Sequence, residues 1–181
     1  MSSTRRRALE AAVTLIGTEG IRALTHGRVD AAASLPPGST SNHFRTRAAL
    51  LAGVIEWIAT AERSEGGFPV VVVDTADDLI TMLERALELE SGPGATRTRA
   101  RYALFLESLD ADAAAPLRRQ RRIFEEWTRA ALVRIGGPDA AAGTHMLMAA
   151  CDGLLLHRIT VDPEAPIGDA IRRAVTAALS V

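Results

Sequence analysis

The chain has 181 residues, of which 48% are hydrophobic, and a formal net charge of −1. This length allows one substantial hydrophobic core or two small ones, and no apolar run approaches the ~20 residues that a membrane span needs. The single cysteine, Cys151, excludes an intrachain disulfide framework and fits a reducing compartment. "RRRALEAAVTLIG" superficially resembles the start of a secretory signal, but Glu10 and Thr14 interrupt its apolar part and no small-residue cleavage site follows. We therefore expect a cytoplasmic protein without a membrane partner.

The charge is distributed unevenly along the chain. Residues 1–50 carry seven arginines and three acids, a net charge of +4, whereas residues 51–181 carry fourteen arginines and nineteen acids, a net charge of −5. All 21 basic residues are arginine, which coding bias explains. A basic head on an acidic body suggests an anionic partner at the N-terminal end only.

The first part of the chain predicts four helices. Apolar residues recur at spacings of three and four in "ALEAAVTLIG", which predicts a first helix that ends at Gly17 and Gly20. Thr25 is suited to cap a second helix. Pro37 can open a third, very short helix, and Thr46 can cap a long fourth one.

The remaining chain predicts further helices and no paired strands. "SEGGFPVVVVD" is interpreted as a linker with a buried apolar lead-in, because no second strand-like run exists to pair with the valines. Thr75 and Asp78 resemble the capping pair of the next helix, and Pro116 opens a later one. The apolar stripes of these helices comprise Leu79, Met82, Leu83, Ala86 and Leu87; then Tyr102, Phe105, Leu106 and Leu109; then the inward Leu117, Phe124, Trp127, Ala131 and Ile135; then a long helix that runs through Met146, Ala150, Leu154 and Leu155; and finally Ile167, Ala170, Ile171, Ala174, Val175 and Ala178. The predicted class is all-α.

The polar stretch "LPPGSTSNHFRTRAALL", residues 35–51, follows the second helix directly. A helix, a tight turn and a short polar helix make up a helix-turn-helix, whose second helix enters the DNA major groove. Asn42 can pair with adenine through two hydrogen bonds, and Phe44 is expected to anchor the short helix. Arg5, Arg6 and Arg7 are expected on a mobile tail that neutralises phosphates.

Clusters of Ser, Thr, Asn, Gly and Pro are also typical of surface turns. This cluster, however, lies between two capped helices in the basic part of the chain. Its position therefore favours DNA recognition.

Residues from about Arg6 to Ile58 resemble the N-terminal domain of the tetracycline-repressor (TetR) family of bacterial transcriptional regulators. "ALEAAVTLIGTEG" matches the first helix of that domain, "ALTHGRVDAAASL" its second helix and turn, and "PPGSTSNHFRTRAALL" its recognition helix and the start of the fourth. The chain departs from the family pattern at Ser41 and Asn42, where aromatic residues are common. It also has Ser34 in place of the turn glycine and Arg47 in place of a lysine.

The resemblance implies an all-α fold of about nine helices. A helix-turn-helix DNA-binding domain would span residues 1–47, and a ligand-binding and dimerisation domain residues 48–181. Ser39 to Asn42 would face bases, and the remaining contacts would hold mainly phosphates. His26 is left out, because exposed histidines are usually only solvated. The residues implied to bind double-stranded operator DNA are Thr25, Arg28, Gly38, Ser39, Thr40, Ser41, Asn42, His43, Arg45, Thr46 and Arg47.

The resemblance also implies a homodimer, whose seam would form from the last two helices of each subunit. Two-fold symmetry would place the recognition helices about 34 Å apart and require a near-palindromic operator. The alternative is that both helices serve only the core of the monomer. The expected interface residues are Leu147, Ala150, Leu154, Arg158, Ile167, Ile171, Ala174, Val175 and Ala178.

A small-molecule effector is the third implication, and bulky inward residues suggest that it is hydrophobic or aromatic. His145, Met148 and Asp152 share one face of the penultimate helix. A buried aspartate needs a partner, for which Arg101 is a candidate. Ordinary core packing or a structural ion pair is the alternative. The candidate pocket residues are Trp57, Met82, Arg101, Tyr102, Phe105, Phe124, Trp127, His145, Met148 and Asp152.

An enzyme is the competing class of protein. His145, Cys151, Asp152 and His157 point to different faces of one helix, and the sequence contains no H-E-x-x-H, C-x-x-C or glycine-rich phosphate loop. We expect no catalysis, cofactor or metal. The arginines of "RRQRR" at residues 118–122 are interpreted as a solvated face that pairs with nearby acids.

The predicted function is a ligand-responsive transcriptional repressor. The effector would favour a state in which the fourth helix swings and the recognition helices leave their grooves. A DNA-binding activator, or an architectural DNA-binding protein without a ligand, is the alternative.

Overall fold

The computed structural model describes residues 3–65, 72–107 and 115–180. The described residues form nine α-helices, with 3₁₀ turns at Ile21–Ala23 and Pro138–Gly143. They contain no strand, which confirms the predicted all-α class. None of the helices in these ranges is long and apolar enough to cross a bilayer. The helices are α1 Ser3–Glu19, α2 His26–Ala32, α3 Ser39–His43, α4 Arg47–Glu65, α5 Ala76–Ser91, α6 Ala95–Leu106, α7 Ala115–Gly136, α8 Thr144–Thr160 and α9 Gly168–Leu179.

The contacts divide the chain into two compact units. Unit 1 comprises Met1–Glu65 and Ala95–Arg119, and unit 2 comprises Gly66–Gly94 and Gln120–Val181. The division falls inside α7, and it adds α6 to the N-terminal helices. The proposed domain boundary between residues 47 and 48 remains a prediction, because these units are defined by contacts and not by function.

Unit 1 is built around α1. This helix packs along α6 and also contacts α2, α3 and α4. Its buried residues, among them Leu9 and Ile16, belong to one apolar cluster with Leu50 and Ile55 of α4 and Leu104 of α6. The DNA-binding helices predicted from the sequence therefore rest on a core to which a later segment of the chain contributes.

Local signals place the helix ends of unit 1 with two exceptions. Thr25 Oγ1 accepts a hydrogen bond from the Arg28 amide and starts α2, and Thr46 Oγ1 accepts one from the Ala49 amide, 3.1 Å away, at the start of α4. The predicted start of α3 at Pro37 is wrong, since the helix begins at Ser39.

Gly17 is the second exception, because α1 continues through it and ends before Gly20, where φ is 82°. A Cβ atom at Gly17 would lie 2.1 Å from the carbonyl oxygen of Thr96. Gly17 therefore permits a close approach between α1 and α6, and it does not end the helix.

The predicted inward face of α6 is wrong. Phe105 is 42% exposed and Leu106 is 84% exposed, whereas Ala100 and Leu104 are buried. The small Ala100 suits the close approach of α6 to α1, so the packing of the two helices, and not apolar character alone, decides which side chains face inward. Leu109, the last residue of the predicted stripe, lies outside the described residues.

Unit 2 contains α5, most of α7, α8 and α9, and its core comes mainly from the packing of α5, α8 and α9. The predicted capping pair is confirmed: the Asp78 amide donates to Thr75 Oγ1 (3.1 Å), and the Thr75 amide donates to Asp78 Oδ2 (3.2 Å). Val73 is buried ahead of this cap and Val72 is exposed. The rest of the predicted linker lies largely outside the described residues.

Candidate nucleic-acid interface

Helix α3 contains only Ser39–His43, about one and a half turns. It follows Gly38, whose φ of 87° lies in the left-handed region that glycine adopts without strain. In the preceding turn Ser34 has a φ of 51°. Arg7 Nη2 donates to the carbonyls of Ala33 (2.6 Å) and Ser34 (3.0 Å), so α1 supports the turn that leads into α3.

A short run of predicted DNA contacts is exposed on and after α3. Ser41, Asn42 and His43 are exposed on the helix, and Arg45 and Thr46 are exposed directly after it. Together they present hydroxyl, amide, imidazole and guanidinium groups. These groups can hydrogen-bond to base edges and phosphates.

Phe44 interrupts this run and points into unit 1. It is 5% exposed, which agrees with the anchor role expected for it. A Cβ atom at Gly53 of α4 would lie 2.5 Å from the Phe44 ring, so the glycine makes room for it. The guanidinium of Arg5 lies over the ring, 5.2 Å from the centroid.

The expected mobile tail of arginines is wrong. Arg5, Arg6 and Arg7 all lie in α1, which starts at Ser3. Arg6 is 3.8 Å from the carboxylate of Glu10, one turn further along. These arginines mainly support the fold of the head, through ring contact, turn support and helix pairing.

The prediction that Thr40 faces bases is also corrected. Its side chain is fully buried, and its hydroxyl donates to Asp30 Oδ1 at 2.5 Å. A threonine with no exposed surface and its proton already donated has nothing to offer a base. Thr40 is part of the contact between α2 and α3.

The partner of Thr40 is the buried carboxylate of Asp30, which the sequence analysis missed. Asp30 is 3% exposed and lies in α2. Its Oδ1 also accepts the backbone amide of Thr40 at 2.8 Å, and its Oδ2 accepts the amide of Gly38 at 2.8 Å. The available signal was an acid in the basic head, ten residues before a threonine in the recognition segment.

The pKa of Asp30 is set by opposing effects. Burial disfavours the ionised carboxylate, but the hydrogen bonds from the Thr40 side chain and from the Thr40 and Gly38 amides, with the positive charge of His26, lower the pKa below its ordinary value of 3.8. The carboxylate therefore stays ionised at neutral pH, and all three of its hydrogen bonds are charge-assisted.

The sequence analysis treats His26 as a solvated side chain, and the structure corrects this reason for leaving it out of the predicted site. It is partly buried, and its Nε2 lies 2.6 Å from the carbonyl oxygen of Phe44. A carbonyl can only accept, so Nε2 carries the proton in this contact. His26 and Asp30 are four residues apart on α2, one near each end of α3.

Two of the predicted phosphate contacts already have partners within unit 1. Arg28 pairs with Glu19 at 2.5 Å, in an exposed ion pair of the kind that contributes about 0–1 kcal/mol. Arg47 donates to the carbonyls of Ile21 (2.9 Å) and Leu24 (3.3 Å). Arg28 can exchange its partner for a phosphate at little cost, whereas Arg47 holds the 3₁₀ turn. The other predicted contacts, Thr25, Gly38 and Ser39, are at least partly exposed.

The predicted ligand residues are divided between the two units. In unit 1, Trp57 packs against the core, and Arg101 Nη1 donates to Glu62 Oε1 at 2.7 Å. The same guanidinium lies 5.5 Å from the centroid of the Tyr102 ring. Phe105 is exposed.

In unit 2, the predicted ligand residues lie on α5, α7 and α8. Asp152 is bound through both carboxylate oxygens by Arg121 of α7. His145 is 3.6 Å from Glu125, which gives a second contact between α7 and α8. The buried or partly buried apolar members are Met82, Phe124, Trp127 and Met148, and the Phe124 and Trp127 rings are stacked with centroids 6.1 Å apart.

Burial also corrects part of the predicted dimer seam. The buried members are Leu147, Ile167, Ile171, Val175 and Ala178. Side chains that are at most 5% exposed offer no surface to a partner, so these five serve the core of unit 2. The other four, Ala150, Leu154, Arg158 and Ala174, are partly exposed.

Other possible sites give little support for further chemistry. An open depression of about 530 Å³ at the start of α9 is lined by Pro166, Gly168, Asp169, Ala170 and Arg173, and contains none of the predicted ligand residues. Among the described residues, no group of three or more His, Cys, Asp or Glu side chains could hold a metal ion. Burial raises the pKa of the Cys151 thiol to about 12, so it is not a reactive thiolate at neutral pH.

Comparison with known proteins gives a family and a fold. The family model described as the tetracyclin repressor-like C-terminal domain matches residues 74–181. No curated protein sequence matches the chain.

Solved structures resemble the chain over nearly its whole length. A member of the TetR family from Streptomyces coelicolor A3 is 26% identical with a TM-score of 0.69, covering 99% of this chain and 100% of that one. The multidrug binding protein EbrR complexed with ethidium is 26% identical with a TM-score of 0.63, covering 97% and 98%. A transcriptional regulator from Rhodococcus sp. Rha1 shares the fold, with 19% identity, a TM-score of 0.74, and coverage of 99% and 95%.

The lowered pKa of Asp30 predicts a specific acid sensitivity. A carboxyl that binds protons less readily in the folded state stabilises the fold above its unfolded pKa, and this contribution is lost as the pH falls through the folded pKa. Asp30→Asn removes the titrating group. We expect the free energy of unfolding, from urea titrations followed by circular dichroism, to fall more steeply in the wild type than in the variant between about pH 5 and pH 3. Parallel pH profiles would contradict this account of Asp30.

Proposed function

The chain belongs to the tetracycline-repressor family of transcriptional regulators, and we propose that it binds a near-palindromic operator as a homodimeric repressor and releases it when a small hydrophobic molecule binds. The observation that carries the DNA-binding part is the exposed run of α3. Ser41, Asn42 and His43 project from a helix of about one and a half turns that is fixed to α2, and Arg45 follows it.

The chemistry of the exposed run fits the major groove. The Asn42 amide can pair with the N6 and N7 positions of adenine. Ser41 Oγ donates to the carbonyl of Gly38 at 2.9 Å, so its lone pairs remain available for a base amino group, such as those of adenine and cytosine. Arg45 supplies a phosphate contact, which adds affinity without sequence information.

The proposed dimer uses the exposed face of α8 next to the partly exposed members of the predicted seam. Met146, Ala149, Gly153 and Leu156 are exposed along this face, and a Cβ atom at Gly153 would meet nothing within 4 Å. Apolar and small side chains allow two helices to pack closely. Together with Ala150 and Leu154, they supply a continuous surface for an antiparallel copy.

The proposed effector is an aromatic, largely hydrophobic molecule. EbrR, which has been solved with ethidium and with proflavin, is 26% identical to this chain in both complexes. In unit 2 the partly buried rings of Phe124 and Trp127 are stacked on α7. Flat aromatic surface with a few polar neighbours is typical of sites for such ligands. Release would follow a population shift, in which the effector binds more tightly to a state where α4 has moved and the recognition helices no longer fit adjacent grooves.

DNA binding is tested by a pair of substitutions. The operator used is the duplex that the wild type binds most tightly from a random-sequence pool. Asn42→Ala should weaken binding to this selected operator by about 1–3 kcal/mol while leaving binding to an unrelated duplex nearly unchanged. Arg45→Ala should weaken both and reduce the slope of log K against log salt by about 1. Fluorescence anisotropy at several salt concentrations measures both effects. Equal losses on the two duplexes for Asn42→Ala would remove its base-reading role.

The dimer is tested at Gly153. Gly153→Glu fits the fold of one chain, since the position opens onto solvent, but it would place two charges in the proposed interface. We expect a wild-type dimer and a folded monomeric variant in sedimentation at micromolar concentration. Thr81→Glu adds the same charge on the exposed side of α5 and should leave the dimer intact. A monomeric wild type, or a dimeric Gly153→Glu, would exclude this interface.

The effector site is tested by tryptophan fluorescence on protein without DNA, because ethidium itself intercalates in duplexes. The chain has two tryptophans, so Trp57→Phe leaves Trp127 as the only tryptophan, and Trp127→Phe leaves Trp57. We expect ethidium to quench Trp127 with a saturable profile. Tetraphenylphosphonium, which does not intercalate, should then lower the affinity for the operator. A linear quench without saturation would contradict the site near Trp127.

A further inference from the structure

Helix α3 is too short to be stable without help. A helix of five residues has not recovered the entropy lost in forming its first turn, and isolated helices shorter than about 12 residues are marginal in water. Its first amides need acceptors, but the residue before it, Gly38, has no side chain that could cap them. The acceptors must therefore come from elsewhere in the fold.

Asp30 supplies them from the neighbouring helix. Its Oδ2 accepts the Gly38 amide and its Oδ1 accepts both the amide and the hydroxyl of Thr40, at distances of 2.5–2.8 Å. The amide of Ser39, another of the early amides, donates to the carbonyl of Pro36 at 3.1 Å. One carboxylate thus caps the start of α3 and fixes it to α2.

The other end of α3 is fixed by the same helix. His26 donates from Nε2 to the carbonyl of Phe44, the residue that ends α3. Because His26 and Asp30 lie one turn apart on α2, attachment at two points defines both the direction of α3 and its rotation about its own axis. The rotation decides whether Ser41 and Asn42 face outward.

We propose that Asp30 is a positioning residue for operator recognition, which sets the rotation of α3 so that Ser41 and Asn42 reach base edges in register. This inference rests on the proposed function, in which α3 reads DNA. Asp30 itself is buried and does not touch DNA. It acts through the backbone of Gly38 and Thr40.

Because Asp30 is negatively charged, its positioning role can be distinguished from a purely electrostatic effect of its charge on DNA binding. A carboxylate in a DNA-binding unit repels phosphates, so removal of its charge alone should strengthen binding to any duplex. Loss of positioning should weaken binding to the specific sequence only. The two effects have opposite signs.

The experiment uses the full chain, the duplex that the wild type binds most tightly from a random-sequence pool, and poly(dI-dC) as unrelated DNA. In Asp30→Asn the new side chain has nearly the shape of the old one. Its NH₂ group, however, is a donor that faces a backbone amide donor at the start of α3, where the carboxylate oxygen accepts a hydrogen bond. We expect about tenfold weaker binding to the selected duplex and equal or tighter binding to poly(dI-dC). Glu10→Gln removes an exposed negative charge from the same unit and should not weaken either affinity. Concentrations are corrected for the folded fraction, measured by circular dichroism.

Substitutions of Thr40 give a second measurement that does not depend on the stability of Asp30→Asn. Thr40→Ser keeps the hydroxyl donor and should retain most of the selected-site affinity, whereas Thr40→Val keeps the volume without the donor and should lose several-fold. A role limited to folding would lower both affinities in parallel and leave their ratio unchanged, and would overturn the proposal. So would unchanged or tighter binding of Asp30→Asn to the selected duplex. If the wild type selects no duplex, the proposed function fails and this inference fails with it.

Discussion

The hydrogen bonds of one buried carboxylate determine how unit 1 presents its polar surface. Asp30 takes three donors from the start of a helix that is too short to hold itself, and each bond is strengthened by the negative charge. A buried carboxylate without these donors would be strongly unfavourable, so the conformation of the α2–α3 segment and the ionisation of Asp30 depend on each other. Arg7 supports the turn between the two helices and connects this arrangement to α1.

The number of arginines in the N-terminal head overstates how many guanidinium groups are available to contact phosphates. Arg7 and Arg47 donate to backbone carbonyls, and Arg28 pairs with Glu19. The bonds to neutral carbonyls leave the charge of Arg7 and Arg47 in place, but they occupy guanidinium donors that a direct phosphate contact would need. The proposed DNA surface depends more on exposed hydrogen-bonding groups, with Arg45 as its main phosphate contact, than the net charge of the segment would suggest.

The sequence predicts the local features of this fold well and the tertiary ones poorly. The caps at Thr25, Thr46 and Thr75 depend on residues three positions away, so spacing alone identifies them. The burial of Thr40 depends on Asp30 in another helix, and nothing in the polar run distinguishes it from its exposed neighbours.

The apolar stripes identify most helix faces but not what covers them, for a related reason. An apolar position on α9 looks the same whether it faces the core of its own chain or a partner, and the buried Ile171 and Val175 belong to the core. On α6, the small Ala100 faces inward where the larger Phe105 was expected. Periodicity gives the existence of a helix face, but the neighbour that covers this face is set by packing across the fold.

The contact at Gly17 has a consequence for exchanging parts between related regulators. Because α1 touches the backbone of Thr96, α6 completes the fold that carries α3. A fragment cut after α4 would expose the side of α1 that α6 covers, including apolar surface that a short chain cannot shield. A graft of this head onto another body therefore has to include α6, or a helix with equally small side chains at the crossing.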